Sequence, residues 1–191
     1  MTLIADDPVE TLRRALGDVA GSHLHALAWG RDERIVVRET REKSIGSDET
    51  FSHDIDDPVV IHRELLRLSD RTAARVRAAG MMGRTVTIKV RFADFTTITR
   101  SRTLRDPTDV SRDIYATARS LFDALGLQRA RIRLVGVRVE GLVPRSTVQR
   151  QLVLGEREHG WSEADGAVDR ATARFGAAAV RPATLIGTDR A

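Results

Sequence analysis

The chain contains no cysteine, few aromatic side chains (4% of all residues) and no long apolar run. Without cysteine, neither a disulfide framework nor a thiolate metal site can form. No stretch approaches the roughly 20 apolar residues that a membrane helix needs. The first residues also lack the basic segment and apolar core of a secretory signal. The sequence therefore predicts a cytoplasmic protein with no membrane partner.

The remaining composition is that of a folded protein. Of 191 residues, 41% are apolar and 30% are charged, as in a soluble globular protein. The length suits one domain, or one domain plus appendages. Residues 1–40 carry a net charge of −2, residues 41–142 of +5 and residues 143–191 of +1. The excess of positive charge in the middle region suggests a polyanionic partner but does not require one.

Hydrophobic spacing predicts two short helices within residues 1–30, with too little apolar surface for a core of their own. The middle region predicts a β-α-β-β-α-β unit. Its successive elements are a strand within 41–51, a helix from Asp57-Pro58 to Gly80, strands at 85–92 and 95–104, a helix opened by residues 106–109, and a strand at 132–139 with a bulge at Gly136. This order predicts an α+β fold, a four-stranded antiparallel sheet with two helices on one face.

The tail predicts one further helix that begins near Trp161. Ser162 with Asp165 three residues later has the pattern of a capping residue and its acidic partner. A thin apolar stripe follows at Ala164, Val168, Ala171 and Phe175. The sequence does not indicate what this helix packs against.

One face of the predicted sheet is polar. Thr85, Thr87, Lys89 and Arg91 alternate with apolar residues, which is typical of a half-buried strand. Hydroxyl and guanidinium groups suit phosphate contacts that do not read bases. Phe92 and Phe95 are the only aromatic residues in these strands, so base stacking on the sheet, as in RNA-recognition domains, has little support. A merely solvated sheet face remains an open alternative.

Three segments in order resemble the Y-family DNA polymerases, and most closely the DNA polymerase IV branch. Residues 41–51 (REKSIGSDETF) resemble the junction at which these enzymes enter their little-finger domain. Residues 99–104 (TRSRTL) and 132–137 (IRLVGV) resemble the DNA-contacting strand and the closing strand of that domain. Residues 8–34 resemble the end of the thumb domain.

The resemblance implies a domain order. Residues 1–34 would be the end of the thumb, 35–42 a linker, 43–143 the little finger, 144–160 a second linker, and 161–191 a terminal helix and tail. It also implies that the palm and fingers are absent and that this piece has no catalytic or metal-binding residues. The Mg²⁺ ions of the parent error-prone translesion polymerase would belong to its palm. The piece itself is expected to be monomeric.

The resemblance further implies a DNA-binding surface. Lys43 and Ser44 would contact the backbone of template-primer duplex DNA where the linker enters the domain. A second set would meet phosphates along one strand: Arg100, Ser101, Arg102 and Thr103. We add Lys89 and Arg91 from the polar face of the neighbouring strand.

A second implied site follows the last strand. Residues Gln151, Leu152, Val153, Leu154 and Gly155 resemble the peptide by which bacterial polymerases dock on the sliding clamp (β subunit). In such a peptide an amide sets the orientation, and two leucines at alternate positions enter apolar pockets. Related peptides often end on a further apolar residue, whereas Glu156 follows here, so weaker docking is expected.

Several other residues are predicted to be structural. The acidic pairs Asp6-Asp7 and Asp56-Asp57 precede proline and suit helix caps. His23 and His25 have no third metal ligand nearby. Four arginines that recur every fourth residue on the first long helix predict a solvated face: Arg63, Arg67, Arg71 and Arg75. The alternative to the polymerase interpretation is a free-standing α+β module that binds RNA or an acidic protein.

Overall fold

The computed structural model describes residues 8–35, 42–148, 160–176 and 179–186. The chain divides into two compact units, residues 1–41 and 42–191. The first unit contains α1 (Val9–Leu16) and α2 (Asp18–Ala28). A Cβ at Gly21 would lie 2.5 Å from the backbone of Leu12, so the two helices pack closely there. Gly21 is the only buried residue in these helices, as expected for a segment without its own core.

The second unit has the predicted order of elements. They are β1 (Ser44–Ile55), α3 (Pro58–Ala78), β2 (Met81–Phe92), β3 (Thr97–Thr108), α4 (Ser111–Asp123) and β4 (Ile132–Pro144). A 3₁₀ turn (Arg145–Thr147), helix α5 (Trp161–Phe175) and a second 3₁₀ turn (Ala183–Leu185) complete the described chain. Within these ranges, no helix is both long and apolar enough to cross a membrane.

The ends of α3 follow from its sequence. The Asp57 carboxylate accepts a hydrogen bond from the backbone N–H of Val59 at 2.8 Å, and Pro58 occupies the first turn. This confirms the predicted cap. The helix stops before Gly80, whose φ of 65° favours glycine.

The sheet has the strand order β1-β4-β2-β3, and every neighbouring pair is antiparallel. β4 is therefore inserted between the two parallel strands β1 and β2 that α3 connects. Helices α3 and α4 pack on one face, over a ladder of apolar pairs: Val86–Val139, Ile88–Val137 and Val90–Val135. Each of these six side chains is at most 1% exposed. The predicted fold class is confirmed.

The start of α4 differs from the prediction. Residues 106–109 were expected to open this helix, but β3 continues to Thr108, which pairs with Gly83 beyond a register shift. An edge strand tolerates Pro107 because its missing N–H can face away from the sheet. The α4 N-terminus is instead satisfied by a residue distant in sequence, since the backbone N–H of Ser111 donates to Asp165 of α5 at 2.7 Å.

Helix α5 docks on the helical side of the sheet through Arg77, whose side chain is only 7% exposed. The Arg77 guanidinium donates to both carboxylate oxygens of Asp169, at 2.6 and 2.8 Å, and to Asp165 at 3.0 Å. It also donates to the backbone oxygen of Asp109 at 2.8 Å. Burial alone would lower the pKa of Arg77, but these acidic partners outweigh it and raise the pKa.

Asp70 lies beside the same cluster. Burial is the main reason that the pKa of Asp70 is raised, and the nearby carboxylates of Asp165 and Asp169 add to the effect. A hydrogen bond with Ser111 and the charge of Arg77 act in the opposite direction. In this cluster the single positive charge of Arg77 is shared by Asp165 and Asp169, and Asp70 is the carboxylate whose ionised form burial disfavours.

The capping prediction for α5 is wrong. The N-cap is Gly160, whose backbone N–H donates to the Glu163 side chain at 2.7 Å. Ser162 lies inside the helix and accepts from Arg145 at 3.2 Å, while Asp165 binds Arg77. Phe175 is 70% exposed, so it does not belong to a buried apolar stripe. The helix is held by ion pairs that no local pattern reveals.

Replacing Arg77 should therefore detach α5. We expect Arg77→Met to lower the free energy of unfolding by about 3 kcal/mol, because the partly buried carboxylates of Asp165 and Asp169 lose the buried guanidinium that they share. Amide hydrogen exchange of residues 161–175 should rise, as measured by mass spectrometry. Arg119→Met on the exposed side of α4 is the matched control, since the Arg119 side chain is 54% exposed and its ion pair is with Asp123 of its own helix. Unchanged protection of α5 in Arg77→Met would show that the helix is held by other contacts.

Candidate nucleic-acid interface

The face of the sheet opposite α3 and α4 is polar and is called the open face below. Directly paired residues of antiparallel strands point to the same side, so the registers identify its members. They are Ser44, Gly46, Asp48 and Thr50 of β1; Leu134, Gly136, Arg138 and Glu140 of β4; Thr85, Thr87, Lys89 and Arg91 of β2; and Thr97, Thr99, Ser101 and Thr103 of β3. Hydroxyl groups outnumber every other kind of side chain on it.

The structure places most of the predicted DNA-contacting residues together. Ser44, Lys89, Arg91, Ser101 and Thr103 all belong to the open face. Lys43 is exposed immediately before β1. These side chains therefore form one surface, although they come from three strands and a connecting segment.

Arg100 and Arg102 lie on the other side of β3. They pair with Ile88 and Val86, whose side chains are buried under the helices. The Arg102 guanidinium accordingly donates to the Ser120 hydroxyl of α4 at 3.2 Å. The four consecutive residues 100–103 thus alternate between two faces and do not form a single row of phosphate contacts.

The open face is only weakly basic. Its cations are Lys89, Arg91 and Arg138, and its carboxylates are Asp48 and Glu140. The Lys89 ammonium forms an ion pair with Asp48, and an Arg138 nitrogen lies 3.8 Å from a Glu140 oxygen. Arg91 donates to the Thr97 hydroxyl at 2.9 Å. Hydroxyl groups rather than net charge are the dominant feature of this surface.

Gly136 makes the pair of Asp48 with Lys89 possible. In the register, Gly136 of β4 stands between Asp48 of β1 and Lys89 of β2. A Cβ at this position would lie 2.0 Å from the Asp48 carboxylate oxygen. The predicted bulge at Gly136 is wrong, because this residue pairs in register on both sides. Its missing side chain instead leaves room for a carboxylate to reach across β4.

Several residues of the open face were missed by the sequence analysis. Arg138 alternates with buried Val137 and Val139, a pattern that could have identified it. The carboxylates Asp48 and Glu140 join the surface only through the register of β1 and β2 with β4, which no local pattern carries.

The arginines of α3 are not a uniformly solvated face. Arg67 donates to Glu49 of β1 at 2.8 Å and also binds Glu64, and hydrogen bonding to Glu64 is the main reason that its pKa is raised. Arg75 donates to the backbone oxygen of Gly46 at 2.6 Å. The prediction is wrong for Arg67, which is partly buried, whereas Arg71 and Arg75 are exposed as expected. Both Arg67 and Arg75 attach α3 to β1.

The structure provides less information on the predicted clamp-binding peptide, on metal ligands and on the histidines. Gln151, Leu152, Val153, Leu154 and Gly155 lie outside the described residues. In the part of the chain that the structure describes, no three His, Cys, Asp or Glu side chains form a group that could hold a metal ion. His25 contacts Trp29 with ring centroids 6.4 Å apart.

Comparison with known families matches this sheet and its helices to one domain. The profile of the impB/mucB/samB family C-terminal domain covers residues 42–152, more than half of the chain. The chain belongs to the Y family of DNA polymerases. Its residues 42–152 correspond to the little-finger domain of that family, and the polar sheet face is the open face of a little finger.

Proteins named DNA polymerase IV are similar along most of the chain. The chain is 44% identical over 139 residues to the Streptomyces coelicolor protein, covering 73% of this chain and 29% of the relative. It is 37% identical over 172 residues to the Desulfatibacillum aliphaticivorans protein, covering 87% and 42%. The chain thus spans less than half the length of these curated relatives.

A solved structure shares the fold. A Y-family DNA polymerase chimera superposes with a TM-score of 0.54 at 19% sequence identity, covering 73% of this chain and 40% of the chimera. At this identity the similarity concerns the fold alone. It agrees with the four-stranded antiparallel sheet and its helices.

The clearance around Gly136 gives a stability prediction for the little finger. Gly136→Ala should lower the free energy of unfolding by roughly 1–3 kcal/mol, because the new methyl group collides with Asp48. In an Asp48→Ala background the same substitution should cost much less, as measured in a double-mutant cycle of urea unfolding. An equal cost in both backgrounds would contradict the assigned role of Gly136.

Proposed function

We propose that the open face of the little finger binds the backbone of template-primer duplex DNA as part of an error-prone translesion DNA polymerase. The observation that supports this most is the collection of hydroxyl groups and cations on an uncovered sheet face, in a domain of this polymerase family. Such groups bind phosphates and leave base edges unread, so the binding should not depend on DNA sequence.

The positions of the side chains suggest which residues would contact the DNA phosphates and in what way. Lys89, Arg91 and Arg138 would supply the charge, and hydroxyls such as those of Ser101 and Thr103 would donate hydrogen bonds to phosphate oxygens. Lys43 and Ser44 would contact the backbone at the start of β1. Because β3 is an edge strand, its outward N–H groups are also available as donors. Arg100 and Arg102 could reach a phosphate only around this edge.

Asp48 would act as an internal competitor for phosphate. In the free protein its carboxylate forms an ion pair with the Lys89 ammonium. A DNA phosphate that binds Lys89 would therefore have to displace Asp48. The cost would keep the affinity moderate, which suits a domain that has to release each phosphate as a polymerase advances.

Affinity measurements with a short duplex test this proposal. Binding should weaken steeply with salt, and the Lys89→Ala, Arg138→Ala double variant should weaken it further. The slope of log K against log salt should fall by about 0.9 for each phosphate contact that is lost. Asp48→Asn should strengthen binding several-fold, because Lys89 becomes free. Fluorescence anisotropy measures all of these, with Arg71→Ala on the helical side as control.

Two results would contradict this assignment. One is an affinity that salt and the open-face substitutions leave unchanged. The other is a clear preference for RNA over duplex DNA, which would favour a free-standing RNA-binding module instead. Single-stranded DNA, duplex DNA and RNA should therefore be compared in the same titration series.

We also propose that Gln151–Gly155 docks on the sliding clamp. The described residues on either side, Val148 and Gly160, both belong to the second unit. Arg145 helps to hold them, since it donates to Asp109 at 2.7 Å and to Ser162 at 3.2 Å. Arg145 therefore links the described residues that precede the peptide to those that follow it.

Surface plasmon resonance with the cognate clamp tests the docking peptide. Replacing Gln151, Leu152 and Leu154 by Ala should abolish clamp binding, because the orienting amide and both apolar anchors are lost. Glu156→Leu should strengthen it by adding an apolar contact, and duplex DNA affinity should stay unchanged in both variants. Clamp binding that persists in the triple variant would remove this assignment.

The residues of this chain would hold substrates in place and would carry out no chemical step. Nucleotide transfer and the Mg²⁺ ions that support it would belong to the palm domain of the parent polymerase. The groups described here would hold DNA and the clamp in position while the reaction takes place elsewhere.

A further inference from the structure

The tip of the β2–β3 hairpin exposes a phenylalanine in a backbone conformation that favours glycine. Phe92 and Thr96 form the last pair, with the Phe92 N–H donating to the Thr96 oxygen at 2.9 Å. The Phe95 N–H donates to the Phe92 oxygen at 3.0 Å, which closes a tight turn. Phe95 itself has a φ of 66° and is 63% exposed.

A three-residue hairpin loop of this kind normally has glycine at its third position. A bulky residue with positive φ has a strained backbone there. Because the Phe95 ring is mostly exposed, burial of the ring offsets little of this strain. The turn is also fully specified without Phe95, because the Asp94 carboxylate accepts from the Thr96 N–H at 2.9 Å. Neither burial nor the geometry of the turn therefore requires an aromatic ring at this position.

A β-bulge directs an arginine onto this ring. Ile132 and Leu134 of β4 pair with the adjacent residues Phe92 and Arg91 of β2, so Arg133 is the extra residue between them. Bulges of this kind redirect a side chain. The Arg133 guanidinium lies 4.8 Å from the centre of the Phe95 ring. Two separate irregularities of the backbone thus bring together an exposed aromatic ring and a cation.

Two further arginines, Arg131 and Arg91, lie between the pair and the open face, and an Arg133 nitrogen is 4.0 Å from the Asp54 carboxylate. The Arg131 side chain is 71% exposed and binds Asp54 at 2.9 Å, while Asp54 itself is only 16% exposed. Arg91 and Thr97 form the last row of the open face before the hairpin tip. A nucleic acid strand that follows the open face would therefore reach Phe95 beside positive charge.

We propose that Phe95 and Arg133 form a stacking site for an unpaired nucleobase of DNA at the end of the duplex that the open face holds. Stacking on an aromatic ring with an arginine alongside suits any base, and Arg131 and Arg91 are placed for the adjoining phosphates. This inference rests on the proposed DNA binding. It adds a contact to single-stranded DNA that the sheet, which has no aromatic side chain on its open face, does not provide.

The test compares a blunt duplex with the same duplex carrying a short single-stranded overhang, in anisotropy titrations of the full chain. Wild type should bind the overhang DNA more tightly, by about 5- to 150-fold for one stacked base. Phe95→Gly relieves the backbone strain, so it should fold at least as stably and yet lose this gain. Phe95→Tyr should keep it. Phe175→Ala is the matched control, because Phe175 is also exposed and has Arg174 over its ring.

Each outcome has a distinct meaning. If wild type binds neither DNA, the proposed DNA binding itself fails. If it binds blunt duplex but gains nothing from the overhang, the stacking site is wrong. The same conclusion holds if the gain survives in Phe95→Gly. A gain that is lost in Phe95→Gly but kept in Phe95→Tyr and Phe175→Ala, with blunt-duplex affinity unchanged, supports the inference.

Discussion

The pairing of β2 with β4 is the constraint on which the rest of the second unit depends. It aligns Val86, Ile88 and Val90 with three valines of β4, all under the helices. Burying one such side chain stabilises the fold by about 1.5–3 kcal/mol. Because side chains alternate along a strand, a slip of one residue would place Lys89 and Arg91 in this core. The same register that builds the core therefore also builds the open face.

Charge alone does not locate the functional surface of this protein. Many of its arginines serve the fold: Arg77 holds α5, Arg67 and Arg75 attach α3 to β1, and Arg145 binds Asp109. On the open face, by contrast, two carboxylates offset part of the positive charge. The proposed DNA grip thus relies on many hydroxyl donors and a few cations, which allows contact with a backbone without very tight binding.

The helices and strands were predictable because each is indicated by a pattern within its own stretch of sequence. The alternation of residues 85–92 and the Asp57-Pro58 cap identify β2 and the start of α3. The faces of β3 were not predictable, because residues 99–103 are all polar and nothing in the sequence shows which of them point inward. The role of Asp165 was equally hidden, since it satisfies the start of α4 from 54 residues away. The reason for Gly136 was hidden as well, because the Asp48 carboxylate that needs the space beside it belongs to another strand. From β4 alone, a glycine inside a strand indicates a bulge.

The most direct test of the account is a titration of the isotope-labelled chain with short duplex DNA, followed by amide chemical shifts in nuclear magnetic resonance. The account predicts that the largest shifts fall on β2 and β3, around residues 85–91 and 97–103. Helices α3 and α4 should be little affected. Shifts concentrated on α3, near Arg63 and Arg71, would place the DNA on the opposite side of the sheet and contradict the central claim.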